Sequence, residues 1–145
     1  MKVLFDTSVW VEHLRHDLLS QVIPALRGKL ALWFDAVSAA ELRAGCRSKS
    51  ERDVVARLLT PFEKAERVAI PLEGDYVRAA TALSRLREDG MALKQPGGAL
   101  LDALIAAVAV RLGALVVTFN IADFQKLSRV LPVQVETMGD LARRL

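Results

Sequence analysis

The chain has 145 residues, 52% of them hydrophobic and 26% charged, which favours one folded domain over residues 1–145 and excludes a disordered chain. A net charge of +3 permits an anionic partner such as nucleic acid without requiring one. The longest apolar run, Ala103 to Val110, is too short to cross a bilayer, and a single cysteine fits a reducing compartment, so we expect a cytoplasmic protein without a membrane segment.

Five short runs have the length and the β-branched or aromatic content of buried strands. In chain order they are KVLF, LALWF, RVAI, ALVVT and VQVE. Helical patterns fall between them, at 8–27 with a break near 16–17, at 36–45, at 50–59 with Pro61 as the stop, at 73–88 and at 97–113. For the 73–88 helix, apolar spacing predicts a buried face of Val77, Ala80, Leu83 and Leu86. Strands that alternate with helices predict a parallel sheet covered by helices.

Polar side chains stand where two of these strands end. Asp6 follows the first strand, and Thr118 and Asn120 follow the fourth. Ligands of parallel sheets bind beyond the carboxyl ends of the strands. The first and fourth strands are the best candidates for the centre of the sheet, so we expect these side chains to lie close together.

Acidic residues recur just after a strand or at a helix start near one: Asp6, Glu41 and Asp102, with Asp123 further along. Each also has a structural interpretation. Asp6 and Asp123 could cap helices, Glu41 has the capping-box spacing from Ser38, and Asp102 could complement a helix dipole. The leucines and isoleucine around Asp102, however, leave its charge little polar face other than a cleft.

Carboxylates gathered in one cleft repel each other unless a cation offsets their charge. A hard divalent ion such as Mg²⁺, which takes oxygen ligands and keeps several waters, is the natural partner. His13 and His16 have no cysteine near them, so the spacing does not suit zinc. Gly97 and Gly98 lack the lysine and hydroxyl residue of a phosphate-binding P-loop.

Three segments together make the chain resemble the PIN-domain ribonucleases. They are VLFDTSVWVEHL, SAAELRAG and LLDALIAAVAVRLGALVVTFNIADF, and they occur in the family's order and at similar spacings. Within that family the chain looks most like the VapC toxins of bacterial toxin–antitoxin pairs. The resemblance implies an α/β protein with three α/β/α layers around a central parallel sheet of four or five strands, and an acidic cluster that binds Mg²⁺ or Mn²⁺ and cleaves RNA.

The resemblance also implies site residues, position by position. Asp6, Glu41 and Asp102 match the family's first three acids and would be the metal ligands. The fourth position is Asn120 in this chain, which can offer a carbonyl oxygen but no charge, and Asp123 could supply the missing charge directly or through a water. The hydroxyls of Thr7 and Thr118 match positions that support the acidic cluster.

The implied reaction is hydrolysis of RNA phosphodiester bonds by a metal-activated water. Asp6 and Asp102 would hold the ion, and Glu41 would orient the water or bind a second ion. Arg43 and Arg47 are expected to contact the RNA backbone. The resemblance further implies a homodimer that is blocked by a VapB-like antitoxin, and the apolar residues of 8–27, Val11 and Leu14 among them, are expected to leave a surface for it.

Other classes fit less well. Phosphatases of the haloacid dehalogenase type need an acid two residues after the first aspartate, where this chain has Ser8. A receiver domain needs an aspartate late in a middle strand and a lysine after a later one, and RVAIPLEG and VVTFN offer no such pair. The alternative that remains is a catalytically weak PIN-like module that binds RNA or protein. Asn120 is the residue that favours it.

Overall fold

Strands and helices alternate along the chain, as the sequence predicts. The computed structural model describes residues 1–26, 28–93 and 98–144, so Arg27 and Gly97, the limits of two predicted helices, lie outside the described residues. The strands are β1 (Lys2–Phe5), β2 (Ala31–Asp35), β3 (Val68–Ala69), β4 (Ala114–Val117) and β5 (Gln134–Glu136). The helices are α1 (Thr7–His16), α2 (Leu18–Leu26), α3 (Ala36–Ala44), α4 (Lys49–Lys64), α5 (Glu73–Glu88), α6 (Ala99–Leu112), α7 (Ile121–Leu127) and α8 (Met138–Arg144). The helices α7 and α8 were not predicted.

The strands form one parallel sheet in the order β3-β2-β1-β4-β5. This arrangement confirms the predicted parallel sheet and places β1 and β4 side by side near its centre. Phe5 lies opposite Val117 in the register, so Asp6 and Thr118 leave the sheet next to each other. The backbone N–H of Asp6 donates to the carbonyl of Val117 at 3.1 Å and holds the two strand ends together.

Two apolar cores, one on each face of the sheet, confirm the three-layer α/β/α architecture. Side chains of a strand point alternately to opposite faces. Leu4 and Val116 face a core shared mainly with α5, α6 and α7, whereas Val3, Phe5 and Leu115 face a core shared mainly with α1, α2, α4 and α8. Among the described residues, no helix is long and apolar enough to cross a membrane.

Helix α4 runs through Pro61 to Lys64, so the prediction that Pro61 ends it is wrong. Proline removes one helical hydrogen bond. Here Pro61 is exposed, and water can replace the missing donor. The next residue, Phe62, packs edge-on against Trp10 and Phe34 at ring-centroid distances of 5.7 and 5.3 Å. This aromatic packing holds the last turn in place.

Helix α5 is rotated from the predicted orientation. Val77 is 59% exposed and Ala80 is exposed, although Leu86 is buried as predicted. The buried residues of the helix are Asp75, Ala79, Ala82 and Leu86. The rotation follows from Asp75, whose carboxylate accepts a hydrogen bond from Arg111 Nε of α6 at 2.9 Å. The same carboxylate accepts a second hydrogen bond, also at 2.9 Å, from the backbone N–H of Leu72, the residue that precedes α5. A partner 36 residues away cannot be read from the periodicity of one helix.

Candidate active site

Asp6 occupies the end of β1, and its side chain is 3% exposed. The Ser8 hydroxyl donates to Asp6 Oδ1 at 2.5 Å, and the Thr118 hydroxyl donates to Oδ2 at 2.8 Å. Burial raises the pKa of Asp6, and these two hydrogen bonds lower it in part. Asp6 directly precedes α1, and the backbone groups of Ser8 and Val9 in the first turn of that helix lower its pKa further, less than the two hydroxyls do.

Asn120 connects two further acids. Its Nδ2 donates to Asp102 Oδ2 at 3.4 Å and to Asp123 Oδ2 at 3.2 Å. Asp102 lies in the first turn of α6, and burial together with the carboxylates of Asp6, Glu41 and Asp123 raises its pKa to about 7. Such repulsion shows that these four acids share one electrostatic environment.

Glu41 is held from the other side by α1. The Thr7 hydroxyl donates to Glu41 Oε1 at 2.7 Å and lies 3.0 Å from Ser38 Oγ. The capping box expected from Ser38 and Glu41 is wrong, because α3 begins at Ala36 and both residues lie within it. Glu41 is therefore free of a capping role and can face the other acids.

Asp35 is an acid that the sequence analysis did not assign to the site. Asp35 ends β2 as Asp6 ends β1, and both follow a phenylalanine of a buried strand. Its side chain is 0% exposed. Oδ1 caps α3 by accepting from Ser38 N at 2.6 Å, while Oδ2 has no hydrogen-bond partner among the described residues. Burial, with the charges of Asp6 and Glu41 adding to it, raises the pKa of Asp35 to about 7.

Asp6, Glu41 and Asp102 open onto one cleft of about 630 Å³, inside the ~300–1,000 Å³ range of ligand sites, whereas Asp35 is not among its described lining residues. Its described lining consists of Asp6, Thr7, Ser8, Val11, Glu12, Arg15, Leu18, Glu41, Gly98, Asp102, Phe119 and Asn120. The structure thus brings together the predicted residues of β1, α3, α6 and the β4 end. Asp123 is fully buried and is not among the lining residues, and Lys126 Nζ lies 3.9 Å from its Oδ1.

The two predicted RNA contacts do not line this cleft. Arg43 lies on α3 two residues after Glu41, and two residues turn an α-helix by about 200°. It faces a separate depression with Glu63 and Glu66, while the backbone N–H of Arg47 donates to Glu51. Their contact with RNA stays a prediction.

The cleft has its own cation, which the sequence analysis missed. Of the described residues that line it, Arg15 of α1 is the one with a positive charge. Neither Arg15 nor the exposed Phe119 belongs to a sequence motif that would indicate a role at the site. Only the packing of α1 beside the β4 end brings them to the acids.

The donor set suits a hard cation better than zinc. The described cleft lining offers carboxylate, hydroxyl and amide oxygens and contains neither histidine nor cysteine. No three histidine, cysteine, aspartate or glutamate side chains in the described ranges stand close enough to share one metal ion. A divalent ion here would therefore take some of its ligands from water, as Mg²⁺ usually does.

Comparison with known proteins places this fold and cleft in a family. Residues 3–130 match the family model of the PIN domain. The chain belongs to the PIN domain family. This confirms the resemblance inferred from the strand-end and helix motifs. No curated protein gives a significant sequence match to this PIN domain.

Three solved structures share the fold of this PIN domain at low sequence identity. DNA-bound VapBC from Salmonella typhimurium has a TM-score of 0.72 and 17% identity, over 94% of this chain and 98% of the other. FitAcB from Neisseria gonorrhoeae has a TM-score of 0.69 and 23% identity, over 93% of this chain and 96% of the other. VapBC-5 from Mycobacterium tuberculosis, a member of the VapBC family of toxin–antitoxin systems, has a TM-score of 0.65 and 20% identity, over 94% and 98%. At these identities the likeness concerns the fold.

Proposed function

We propose that residues 1–145 form one PIN domain that acts in the cytoplasm as a divalent-metal-dependent endoribonuclease, the toxin of a toxin–antitoxin pair. The observation that carries the proposal is the cleft that Asp6, Glu41 and Asp102 line together beside the carboxyl ends of β1 and β4. Proteins of the PIN family are generally nucleases. The carboxylates of the cleft would repel the phosphates of RNA, so the cleft suits that activity only when a cation is bound there.

Mg²⁺ or Mn²⁺ fits the residues present. Burial and three neighbouring carboxylates raise the pKa of Asp102 to about 7, and a divalent ion would reverse that repulsion. Asp6 and Asp102 would hold the ion, with Glu41 orienting a water or holding a second ion. When bound, such an ion lowers the pKa of a water and offsets charge on the phosphoryl oxygens.

The remaining polar groups fix these acids in place. Thr118 and Ser8 each donate to one oxygen of Asp6, which fixes the orientation of that carboxylate. Thr7 orients Glu41 through a 2.7 Å hydrogen bond. Preorganised groups of this kind do not have to reorient during the reaction.

The test is metal-dependent cleavage of RNA by the purified chain. We expect total RNA to be cut with Mg²⁺ or Mn²⁺ and left intact with EDTA, and Asp6→Asn to abolish cutting. Asp53→Asn, an exposed carboxylate of α4, is the matched control and should cut as the parent does. Mapping the cut ends would identify the preferred sequence. RNA binding without metal-dependent cleavage would instead favour the catalytically weak binding module.

An antitoxin partner is part of the proposal. VapBC-5 from Mycobacterium tuberculosis is a member of a family of toxin–antitoxin systems, and this chain has a surface that suits such a partner. A groove of about 500 Å³ adjoins the cleft and is lined largely by the apolar residues Val11, Leu14, Leu42, Val54 and Val55. The groove and the cleft share Thr7, Val11, Arg15 and Glu41. A bound segment could therefore fill the groove and reach the acids.

Substitution in this groove separates antitoxin binding from cleavage. Leu14 is 37% exposed in the groove, whereas Trp10 of the same helix is fully buried in the core. We expect Leu14→Ser and Val11→Ser each to weaken binding of a co-expressed cognate antitoxin by about tenfold, the effect of losing ~1.5 kcal/mol of apolar burial. Leu72→Ser, exposed outside the groove, is the control. Unchanged affinity in folded, active variants would place the antitoxin elsewhere.

The homodimer that the family resemblance implies is a separate part of the proposal. Light scattering of the free chain tests it.

A further inference from the structure

Phe119 is an exposed aromatic residue on the wall of the acidic cleft. Its side chain is 50% exposed, and it lines the cleft with Asp6, Asp102 and Asn120. The other phenylalanines, Phe5, Phe34, Phe62 and Phe124, all pack into the two cores. Single exposed apolar residues are common and mean little by themselves. What distinguishes Phe119 is how it is held beside the acids.

Hydrogen bonds to the site fix the backbone at Phe119. Its N–H donates to Ser8 Oγ at 3.1 Å, and the same hydroxyl donates to Asp6 Oδ1. On either side, Thr118 N donates to the Glu136 carbonyl at 3.2 Å, and Asn120 N donates to Thr118 Oγ1 at 2.8 Å. The backbone of Phe119 is thus fixed beside the site, and its side chain lines the cleft that Asp6 also lines.

The cleft combines this apolar ring with one positive charge. Arg15 lines the same space and carries the one positive charge among its described lining residues. A polynucleotide needs a cation for its phosphates and a flat apolar face for an unstacked base. The acids, which repel phosphate without a metal ion, account for neither requirement. Phe119 and Arg15 supply both beside them.

We propose that Phe119 is a stacking platform for one unpaired nucleobase of RNA, and that Arg15 contacts the phosphate backbone of the same strand. This inference rests on the proposed ribonuclease function and assigns to Phe119 and Arg15 the binding of an unpaired nucleotide beside the acids. Bases within a duplex are already stacked on each other and cannot offer a face to a side chain. RNA cleavage therefore requires a locally unpaired base beside the scissile phosphate.

The experiment compares substitutions that separate ring stacking from apolar contact. Phe119→Ala removes the ring, Phe119→Leu keeps an apolar side chain, and Phe119→Trp keeps a larger aromatic face. Tyr76→Ala is the matched control, since Tyr76 is 53% exposed and lies on α5, outside the described cleft lining. The substrate is a short single-stranded RNA that spans a mapped cut, assayed alone and annealed to its complement.

We expect the alanine and leucine variants to lose about 5- to 140-fold in kcat/KM on the single strand, mainly through KM, which is the range for one lost base–aromatic stack. Phe119→Trp and Tyr76→Ala should retain parental values, and the duplex should resist the parent. Melting temperatures should stay unchanged, because the ring is half exposed. Parental kcat/KM in either the alanine or the leucine variant, or equal cleavage of duplex and single strand, would overturn the proposal.

A binding measurement keeps this test separate from the proposed function. Fluorescence anisotropy of the labelled single-stranded RNA with Ca²⁺ reports affinity without requiring cleavage. A parent that binds but does not cut would count against the ribonuclease, while weaker binding by Phe119→Ala and Phe119→Leu alone would still support stacking. Equal affinities across all variants, or no binding by the parent, would overturn the stacking proposal.

Discussion

Asp35→Asn tests whether the buried Asp35 carboxyl makes the protein less stable as the pH rises. Burial raises the pKa of Asp35 from 3.8 to about 7 in the folded chain. In the unfolded chain the ordinary value returns, so the folded state binds the proton more tightly between these two values. The contribution of Asp35 to the free energy of unfolding is therefore complete below about pH 4 and is lost as the pH rises to about 7.

The size of the effect follows from that window. A pKa higher by about three corresponds to about 4 kcal/mol over the whole range. A change from about pH 5 to about pH 8 crosses only the upper part of the range between the two pKa values of Asp35. The free energy of unfolding should therefore fall by about 3 kcal/mol between these two pH values. Asparagine keeps an oxygen that can cap α3 at Ser38 N but never ionises. Its amide NH₂ would replace Oδ2, which has no partner, and this unpaired group would lower stability by about 1–3 kcal/mol. That loss does not depend on pH, so it cancels when the change in stability between the two pH values is compared for the two proteins.

Urea unfolding in EDTA at both pH values, followed by tryptophan fluorescence, measures the effect, because Trp10 is fully buried and Trp33 packs against a core. The parent should lose about 3 kcal/mol more stability than Asp35→Asn between the two conditions. Burial also raises the pKa values of Asp6 and Asp102, but both acids are present in the two proteins, so the difference reports Asp35 together with its coupling to Asp6. Asp53→Asn should behave as the parent does. Equal losses in the parent and in Asp35→Asn would refute the reasoning.

Three further changes test the charges and hydrogen bonds of the site and of the α5–α6 contact. Mg²⁺ or Mn²⁺ should raise the melting temperature because it offsets clustered carboxylates, and Asp102→Asn should reduce that increase while leaving stability in EDTA unchanged or higher. Thr118→Val removes a fully buried hydroxyl that donates to Asp6 Oδ2 and should lower the free energy of unfolding by about 1–3 kcal/mol in urea. Arg111→Met leaves the Asp75 carboxylate, 1% exposed, without its ion pair and should cost about 3 kcal/mol or more in the same assay.

Each of these has a result that contradicts it. A sharp loss of stability for Asp102→Asn in EDTA would mean that Asp102 mainly stabilises the start of α6. Thr60→Val, which removes an exposed hydroxyl bonded to the Ala56 carbonyl, should leave stability close to that of the parent. A loss as large as that of Thr118→Val would show that burial is not the cause. If adding Asp75→Asn to Arg111→Met restores nothing, the unpaired charge does not explain the loss.

The meeting of Asp6 and Thr118 could be predicted because it depends on sheet geometry alone. Two neighbouring parallel strands bring their carboxyl ends to one edge, and the apolar runs of β1 and β4 identified both strands as central. The 2.8 Å hydrogen bond between these side chains, 112 residues apart, is the direct consequence. Similar reasoning placed Asp102 near them, since a polar side chain on the buried α6 has few other polar surroundings to face.

What could not be predicted depends on packing between distant segments. The sequence LWFD is as clear a strand end as VLFD, yet nothing local shows that Asp35 loses all contact with solvent while Asp6 meets a cleft. The rotation of α5 depends on Arg111, and the course of α4 past Pro61 depends on Phe62. Each of these choices is decided by a partner from another element, so local propensity predicts the wrong face or the wrong end.

The surroundings of residue 120 give a physical reason for an amide in place of a fourth acid. Asn120 Nδ2 donates to both Asp102 and Asp123, so the amide ties together two carboxylates that would otherwise repel. An aspartate there would remove the donor and add a charge beside Asp102, whose pKa burial and its neighbours already raise to about 7. The amide keeps a carbonyl oxygen that can face a cation. The chain can thus fold around Asp6, Glu41 and Asp102 without the metal and still leave their charge for the proposed ion to bind.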